Sequence, residues 1–225
     1  MKQTNLTSTD YSDLLDFLYK KNQTTNLTRI SNKDDAQTKH IVDSLELSNY
    51  IQTHLDDVNT ILDMGTGAGF PGLVIAKENP KNTVYLIDSS NKKIQFVTQA
   101  VELLNLENAF PVHSRIEDFA SSKALFFDLI VARSLAYLDV LLEYSTPLLK
   151  TGGYLLAMKS ENTEEELSSI LHVLEPLGFS SPTEYKYTLA ESDRVILSFN
   201  KTRESSIKLP RRAGMATKKP IRRVI

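Results

Sequence analysis

One run in this chain of 225 residues has the residue types and spacing to hold a nucleotide-like ligand: Ile61-Leu62-Asp63-Met64-Gly65-Thr66-Gly67-Ala68-Gly69-Phe70-Pro71-Gly72. An apolar strand ends in a carboxylate and passes straight into a glycine-rich turn that opens a helix. Glycine is needed where the backbone turns sharply and approaches a ligand more closely than a Cβ permits. Pro71, with its fixed φ and no N–H, suits the first helical position. Gly67-x-Gly69-x-x-Gly72 matches the dinucleotide fingerprint, and Asp88 lies about 20 residues on, as that fingerprint requires. Asp63 separates the ligands. A pyrophosphate sits poorly beside a strand-end carboxylate, whereas the ammonium of a methionyl group is favoured there.

Three further strand ends carry candidate chemistry. Leu86-Ile87-Asp88 places a carboxylate where Rossmann-like enzymes bind both ribose hydroxyls. Ser114-Arg115-Ile116-Glu117-Asp118 follows a third apolar run; Ile116 could pack on an adenine face while Glu117 and nearby backbone reach its edge. A charged surface turn is an equal alternative for that piece. Ile130-Val131-Ala132-Arg133-Ser134 ends a fourth run, and such ends line the ligand crevice, so Arg133 is expected to face cofactor or substrate. Asp63, Gly65, Gly67 and Gly69 together resemble the first motif of class I S-adenosylmethionine-dependent methyltransferases. The (Asp/Asn)-Pro-Pro-aromatic motif of amino-methylating members is missing after the fourth run, and the chain has no cysteine for C5 chemistry. His40, with Asp43 and Ser44 one turn on, reads as a helix-surface or satisfied core histidine rather than a base.

These groups need a framework. The first fifty residues read as helical: Asp10 can cap a helix with the apolar face Leu14, Leu15, Phe17 and Leu18, and Ile41, Val42, Leu45 and Leu47 mark a second amphipathic stretch. From Asn59 onward, strand candidates 60–64, 83–88, 109–113, 127–132 and 154–159 alternate with helix-length segments. One such segment carries Ile94, Val97, Val101 and Leu104 on one face, and another opens with the capping-box-like Asn162-Thr-Glu-Glu. Two alternating runs, 185–189 and 194–199, form a hairpin. The expected fold is α/β and doubly wound: a mostly parallel seven-stranded sheet with an antiparallel edge hairpin and an N-terminal helical cap. The expected division is a cap at 1–55, a cofactor-binding core at 56–200 and a basic tail at 201–225.

A hydrophobic content of 41% is enough to build one core, and the absence of cysteine excludes disulfides and thiolate metal sites. The start of the chain has no apolar signal-peptide region and no stretch reaches the length of a membrane span, so a cytoplasmic location is expected and the Asn-x-Ser/Thr triplets at Asn5, Asn22 and Asn26 are chance matches. The net charge of -2 hides an asymmetry: nine basic residues against one acid from Lys201 onward give the tail +8 and leave residues 1–200 with -10. A basic arm on an acidic body suits a polyanion, with Arg211, Arg212, Lys218 and Lys219 as its RNA-contact candidates. The competing reading is a solvated, disordered end.

Several segments resemble the glucose-inhibited division protein B family, the bacterial 16S ribosomal RNA guanine-N7 methyltransferases. They are Asn26-Leu-Thr-x-Ile, Lys39-His-Ile-x-Asp-Ser-Leu, Asp63-x-Gly-Thr-Gly-x-Gly-Phe-Pro-Gly, Leu86-Ile-Asp-Ser-x-x-Lys-Lys, Ala132-Arg-Ser, Gly152-Gly-x-Leu-Leu-Ala-Met-Lys and Pro210-Arg-Arg-x-Gly, in order along the chain. One departure is Lys21-Asn22, where members carry Trp-Asn. The resemblance implies S-adenosylmethionine as cofactor, contacts to it from Gly65, Phe70, Ile116, Glu117 and Arg133, and a target guanine in the decoding region of the small subunit. The implied partner is 16S ribosomal RNA or the 30S particle, met by a monomer. Guanine N7 bears no proton, so no general base is expected. The rival readings are a methyltransferase acting on another RNA or a small molecule, an NAD-dependent oxidoreductase, and a non-enzymatic RNA-binding assembly factor.

Overall fold

The computed structural model describes residues 11–30, 32–160 and 163–221. Its apolar runs form a single sheet. The parallel strands are β1 (Thr60–Met64), β2 (Thr83–Asp88), β3 (Ala109–His113), β4 (Phe127–Arg133) and β5 (Leu149–Ser160). The hairpin strands β6 (Thr183–Leu189) and β7 (Ser192–Asn200) follow, with β7 antiparallel to β5. The order is β3-β2-β1-β4-β5-β7-β6. The chain therefore adds strands first to one side of β1 and then to the other. The crevice at such a reversal, beyond the carboxyl ends of β1 and β4, is where doubly wound sheets bind ligands.

Helices cover both faces, which is why β1 and β4 are nearly continuous apolar runs. On one face lie α1 (Ser12–Thr25), α2 (Lys33–Ala36), a π-helical turn Gln37–Val42, α3 (Asp43–His54), α4 (Gly72–Glu78) and α5 (Asn91–Leu103). Leu14, Leu18, Ile41 and Leu47 join Ile61, Leu73 and Val97 there in one core. On the other face, α6 (Ile116–Ala120), α7 (Leu138–Ser145) and α8 (Glu164–Leu177) bury Phe119, Leu141 and Leu174 against Ile87, Phe127 and Phe199. Alternate residues of β1 feed the two cores: Ile61 the first, Leu62 the second.

The differences from expectation have local causes. β5 begins at Leu149, five residues before the expected start, because Gly152-Gly153 is part of the strand and not a break in it. A Cβ at Gly153 would lie 2.8 Å from the Asp128 carbonyl, so glycine is what lets β5 approach β4. Arg133 extends β4 by one residue. Pro71 stands just before α4, where its carbonyl accepts from Val74 and Ile75. Val42 of the second amphipathic stretch is exposed. α8 starts at Glu164, and its Glu166 accepts the Leu138 N–H at 2.6 Å, serving the start of α7. Asn5, the proposed caps Asp10 and Asn162, and Arg222 and Arg223 lie outside the described residues.

The tail is neither a free arm nor, over its described part, a solvated end. Lys201 is buried, and its ammonium donates to the carbonyls of Thr146 and Leu149 at 2.7 Å each. Farther on, Ser206 N–H bonds to the Pro176 carbonyl and the His172 imidazole meets the Ile221 carbonyl. Residues 201–221 thus form a strap across α6, α7 and α8, ending in the short helix α9 (Met215–Lys218). Among the described residues no helix is long and apolar enough to cross a membrane.

Candidate functional site

A cavity of about 690 Å³ opens at the carboxyl ends of β1, β4 and β5. The glycine loop (Gly65 to Ala68, with Phe70) forms one side, Arg133 and Ser134 the next, and Met158 to Ser160 the next. Tyr187 and Arg194 of the hairpin close the far side, and residues 27–30 with Lys39, His40 and Asp43 of the N-terminal segment form the roof.

The loop is held from below. Gly65 and Thr66 N–H groups both donate to the Ile87 carbonyl at the end of β2. Gly67 takes φ +62°, in the left-handed region that costs other residues strain, and a Cβ there would touch only the Gly65 carbonyl oxygen, at 3.9 Å. Asp63 is 1% exposed. Its Oδ2 accepts from the Thr66 hydroxyl at 2.6 Å and from Gly72 N–H at 2.8 Å, tying the strand end to the start of α4. Glycine at 72 is required by this contact, since a Cβ would fall 2.6 Å from that oxygen. Oδ1 is buried without a partner. Burial raises the Asp63 carboxyl from 3.8 to about 6, against the lowering effect of the Thr66 and Gly72 hydrogen bonds. An unpartnered carboxylate oxygen beneath a loop that leaves room for a ligand fits the ammonium end of S-adenosylmethionine.

Asp88 is also buried below the loop. It accepts from Ser90 N–H (2.8 Å), Gly67 N–H (3.1 Å) and Lys93 Nζ (3.4 Å). A carboxylate has about four acceptor sites, so capacity remains for a ribose hydroxyl.

Roof and floor meet at Arg133. Its Nη1 donates to the Asp43 carboxylate (2.9 Å) and the Lys39 carbonyl (2.8 Å), and its Nη2 to His40 Nδ1 (3.2 Å). Arginine can only donate, so Nδ1 carries the lone pair and Nε2 the proton, which goes to the Thr28 hydroxyl at 3.1 Å. Burial first, then the Arg133 charge, lower the His40 pKa to about 3. The ring stacks on Phe70, centroids 4.6 Å apart and planes within 5°. On its other side Asp43 accepts from the Tyr187 hydroxyl at 2.7 Å, and burial with that carboxylate pushes the phenol well above its ordinary value. The roof is itself fastened by Asn22, whose side chain accepts from Leu27 and Thr28 N–H and donates to the Thr28 carbonyl. The departure at Lys21-Asn22 therefore leaves the fastening residue in place.

Of the sequence-derived candidates, Gly65, Gly67, Phe70 and Arg133 line the cavity. Asp63, Gly69 and Asp88 lie beneath it as supports. Ile116 and Glu117 line a second, small cavity with Tyr144 and Pro210, where Glu117 accepts Gly214 N–H at 2.7 Å. The tail candidates divide. Arg211 is clamped to the buried Glu143 through Nε (2.7 Å) and Nη2 (2.5 Å), which gives it a structural partner within the chain. Arg212, Lys218 and Lys219 are exposed. Thr28 falls within the Asn26-Leu-Thr-x-Ile segment, but Tyr187 and Arg194 stood in the sequence only as hairpin residues; Tyr187 meets Asp43, 144 residues away in the chain.

Fold and loop together define an α/β S-adenosylmethionine-dependent methyltransferase. The fold is similar to that of a SAM-dependent methyltransferase from Aquifex aeolicus, with a TM-score of 0.54 at 20% identity over 73% of this chain and 92% of that one. The family model GidB, rRNA small subunit methyltransferase G, matches residues 8–180, and the chain belongs to that family. Its relatives include the ribosomal RNA small subunit methyltransferase G of Leuconostoc citreum, 36% identical over 209 residues, covering 92% of this chain and 87% of that protein. Another is the protein of the same name from Lactobacillus johnsonii, 35% identical over 224 residues, covering 98% and 92% respectively.

Proposed function

We propose that this enzyme methylates N7 of a guanine in 16S ribosomal RNA. The observation that carries the reading is the state of the titratable groups facing the cavity. His40 has its lone pair on Arg133, and Asp43 is shared by Arg133 and Tyr187. Both are thus engaged within the site by Arg133 and Tyr187. Guanine N7 presents a lone pair and no proton, so it is a nucleophile that needs none removed.

S-adenosylmethionine supplies the methyl group, activated on a sulfonium. In this proposal the Gly65–Gly67 backbone and Asp63 hold its methionyl end and Asp88 its ribose, with the adenine directed towards Ile116 and Glu117, which line the separate small cavity and not the large one. Arg133 and Phe70 with its stacked His40 set the wall between cofactor and guanine. The product guanine is cationic, and an unbalanced arginine beside it would oppose the reaction. Asp43 at 2.9 Å balances Arg133, so that wall presents an ion pair instead of a bare charge. With no base to supply, the residues contribute positioning, worth about 7–11 kcal/mol in favourable cases. Duplex RNA hides N7 in a narrow groove, so the target base is taken unpaired or splayed out.

The division into a cap at 1–55, a core at 56–200 and a tail at 201–225, a monomeric enzyme, a cytoplasmic place of work, and RNA contacts from Arg212, Lys218 and Lys219 belong to the same proposal. The assay incubates the purified protein with labelled S-adenosylmethionine and either free 16S RNA or 30S particles from a strain lacking the enzyme. Nucleoside analysis is expected to show 7-methylguanosine in one or both. Label at another ring position, or label only in transfer RNA, would overturn the reading.

A further inference from the structure

Six cationic side chains line the cavity: Arg29, Lys39, Lys93, Arg133, Lys159 and Arg194. Four have acid partners, Lys39 with Asp35, Lys93 with Asp88, Arg133 with Asp43 and Lys159 with Glu166. Arg29 and Arg194 have none among the described residues, and the Nε of Arg194 is buried without any hydrogen-bond partner. A buried guanidinium N–H left unmade is costly, so its place in a cavity wall points to a ligand that accepts from it.

The sheet locates that ligand. Arg194 stands on β7, opposite Ser160 of β5 and Tyr187 of β6. The glycine loop follows β1, and Asp88 ends β2. Between β1 and β7 stand β4 and β5, which separates the two by about 14 Å at ordinary strand spacing. The cofactor's anchoring groups lie on the β1 and β2 side, so Arg194 faces the half of the cavity beyond the cofactor. Arg29 is exposed and lines the same cavity from the roof segment.

We propose that Arg194, assisted by Arg29 across the mouth, grips an RNA phosphate next to the target guanosine, making the hairpin edge of the cavity the RNA-docking side. This rests on the reading of RNA as substrate. Guanidinium is suited to the task because its planar donor fork fits phosphate and is permanently charged. The grip would hold the strand while its base is inserted towards Phe70 and His40, with no reading of sequence.

The test compares wild type with Arg194→Ala, Arg194→Lys and Arg29→Ala, using unmethylated 30S particles and labelled S-adenosylmethionine at several salt concentrations. Arg194→Ala is expected to raise KM for the particle about tenfold, with kcat, thermal midpoint and cofactor affinity each close to wild type. The salt slope of particle binding is expected to flatten by about 0.7–1 for the lost phosphate contact. Arg194→Lys should recover part of the KM, and Arg29→Ala should show a smaller effect of the same kind. Unchanged KM and slope in Arg194→Ala would overturn the proposal. So would a loss of cofactor affinity with KM for the particle unchanged, which would assign Arg194 to the cofactor's carboxylate. If wild type methylates no ribosomal RNA at all, the substrate reading itself fails, and this proposal falls with it.

Discussion

Replacing Asp63 by Asn measures what a buried charge costs beneath the glycine loop. The carboxyl is raised by burial from 3.8 to about 6 in the folded protein. A carboxyl shifted upward adds most to stability when it is protonated in both states, and that contribution is lost as pH rises from the unfolded value through the folded one. At pH 8 the loss is complete, about 3 kcal/mol, and at pH 5 it is about half of that. Asparagine keeps an oxygen for Thr66 and Gly72 and carries no charge. Its amide nitrogen takes the place of the unpartnered Oδ1, so the variant has a constant offset of its own, on the order of 1–3 kcal/mol. The offset does not depend on pH. The difference between the two proteins should therefore move by about 1.4 kcal/mol in favour of the Asp63→Asn variant between pH 5 and pH 8, or about 3–6 °C in thermal midpoint. Melting curves of both proteins without cofactor, at pH 5, 6, 7 and 8, read this directly, since other titrations cancel in the difference. Parallel curves would refute the reasoning. Cofactor should then stabilise wild type far more than the variant, because the oxygen meant for the ammonium is gone.

Three further outcomes follow. Gly67→Val should remain folded at a cost of about 1–2 kcal/mol for its left-handed backbone and lose S-adenosylmethionine binding, because the side chain enters the cavity; calorimetry showing wild-type affinity would contradict this. His40 titrates at about 3, so the pH–rate profile should show no His40-dependent ionisation between about pH 6 and 9; a sigmoid in wild type that disappears in His40→Asn would establish it as a base. Arg211→Ala leaves the buried Glu143 carboxylate without its partner and should destabilise by about 3 kcal/mol while leaving the salt slope of RNA binding unchanged. A flattened slope without a change in melting would return Arg211 to the RNA.

Much of the sheet could be read from the sequence because its signals are local. β1, β2 and β3 coincide with their apolar runs, and Asp63, the glycines and Asp88 stand where strand ends and a turn must put them. The start of β5 could not be read, because Gly152-Gly153 breaks the pattern for a reason that lies in β4. The tail misled in the same way. Charge counts showed nine cations, but Lys201 finds the carbonyls of Thr146, just after α7, and of Leu149, at the start of β5, and Arg211 finds Glu143, 68 residues away. The roof of the cavity was the least legible part. Its hydrogen bonds join residues 28, 40, 43, 133 and 187, and no spacing within one segment encodes them.

The Arg133–Asp43 pair spans 90 residues of chain, and that bears on how this enzyme can vary. A chimera joining this sheet to the N-terminal helices of a relative would work only if the donor carried the matching carboxylate, imidazole and hydroxyl at the positions of Asp43, His40 and Thr28. Otherwise the guanidinium at the end of β4 would face the cavity with no counter-charge. The two ends of the site are thus coupled through this ion pair. Exchange at either is tolerated only when the other changes with it, and the sheet cannot be transplanted as a self-sufficient catalytic module.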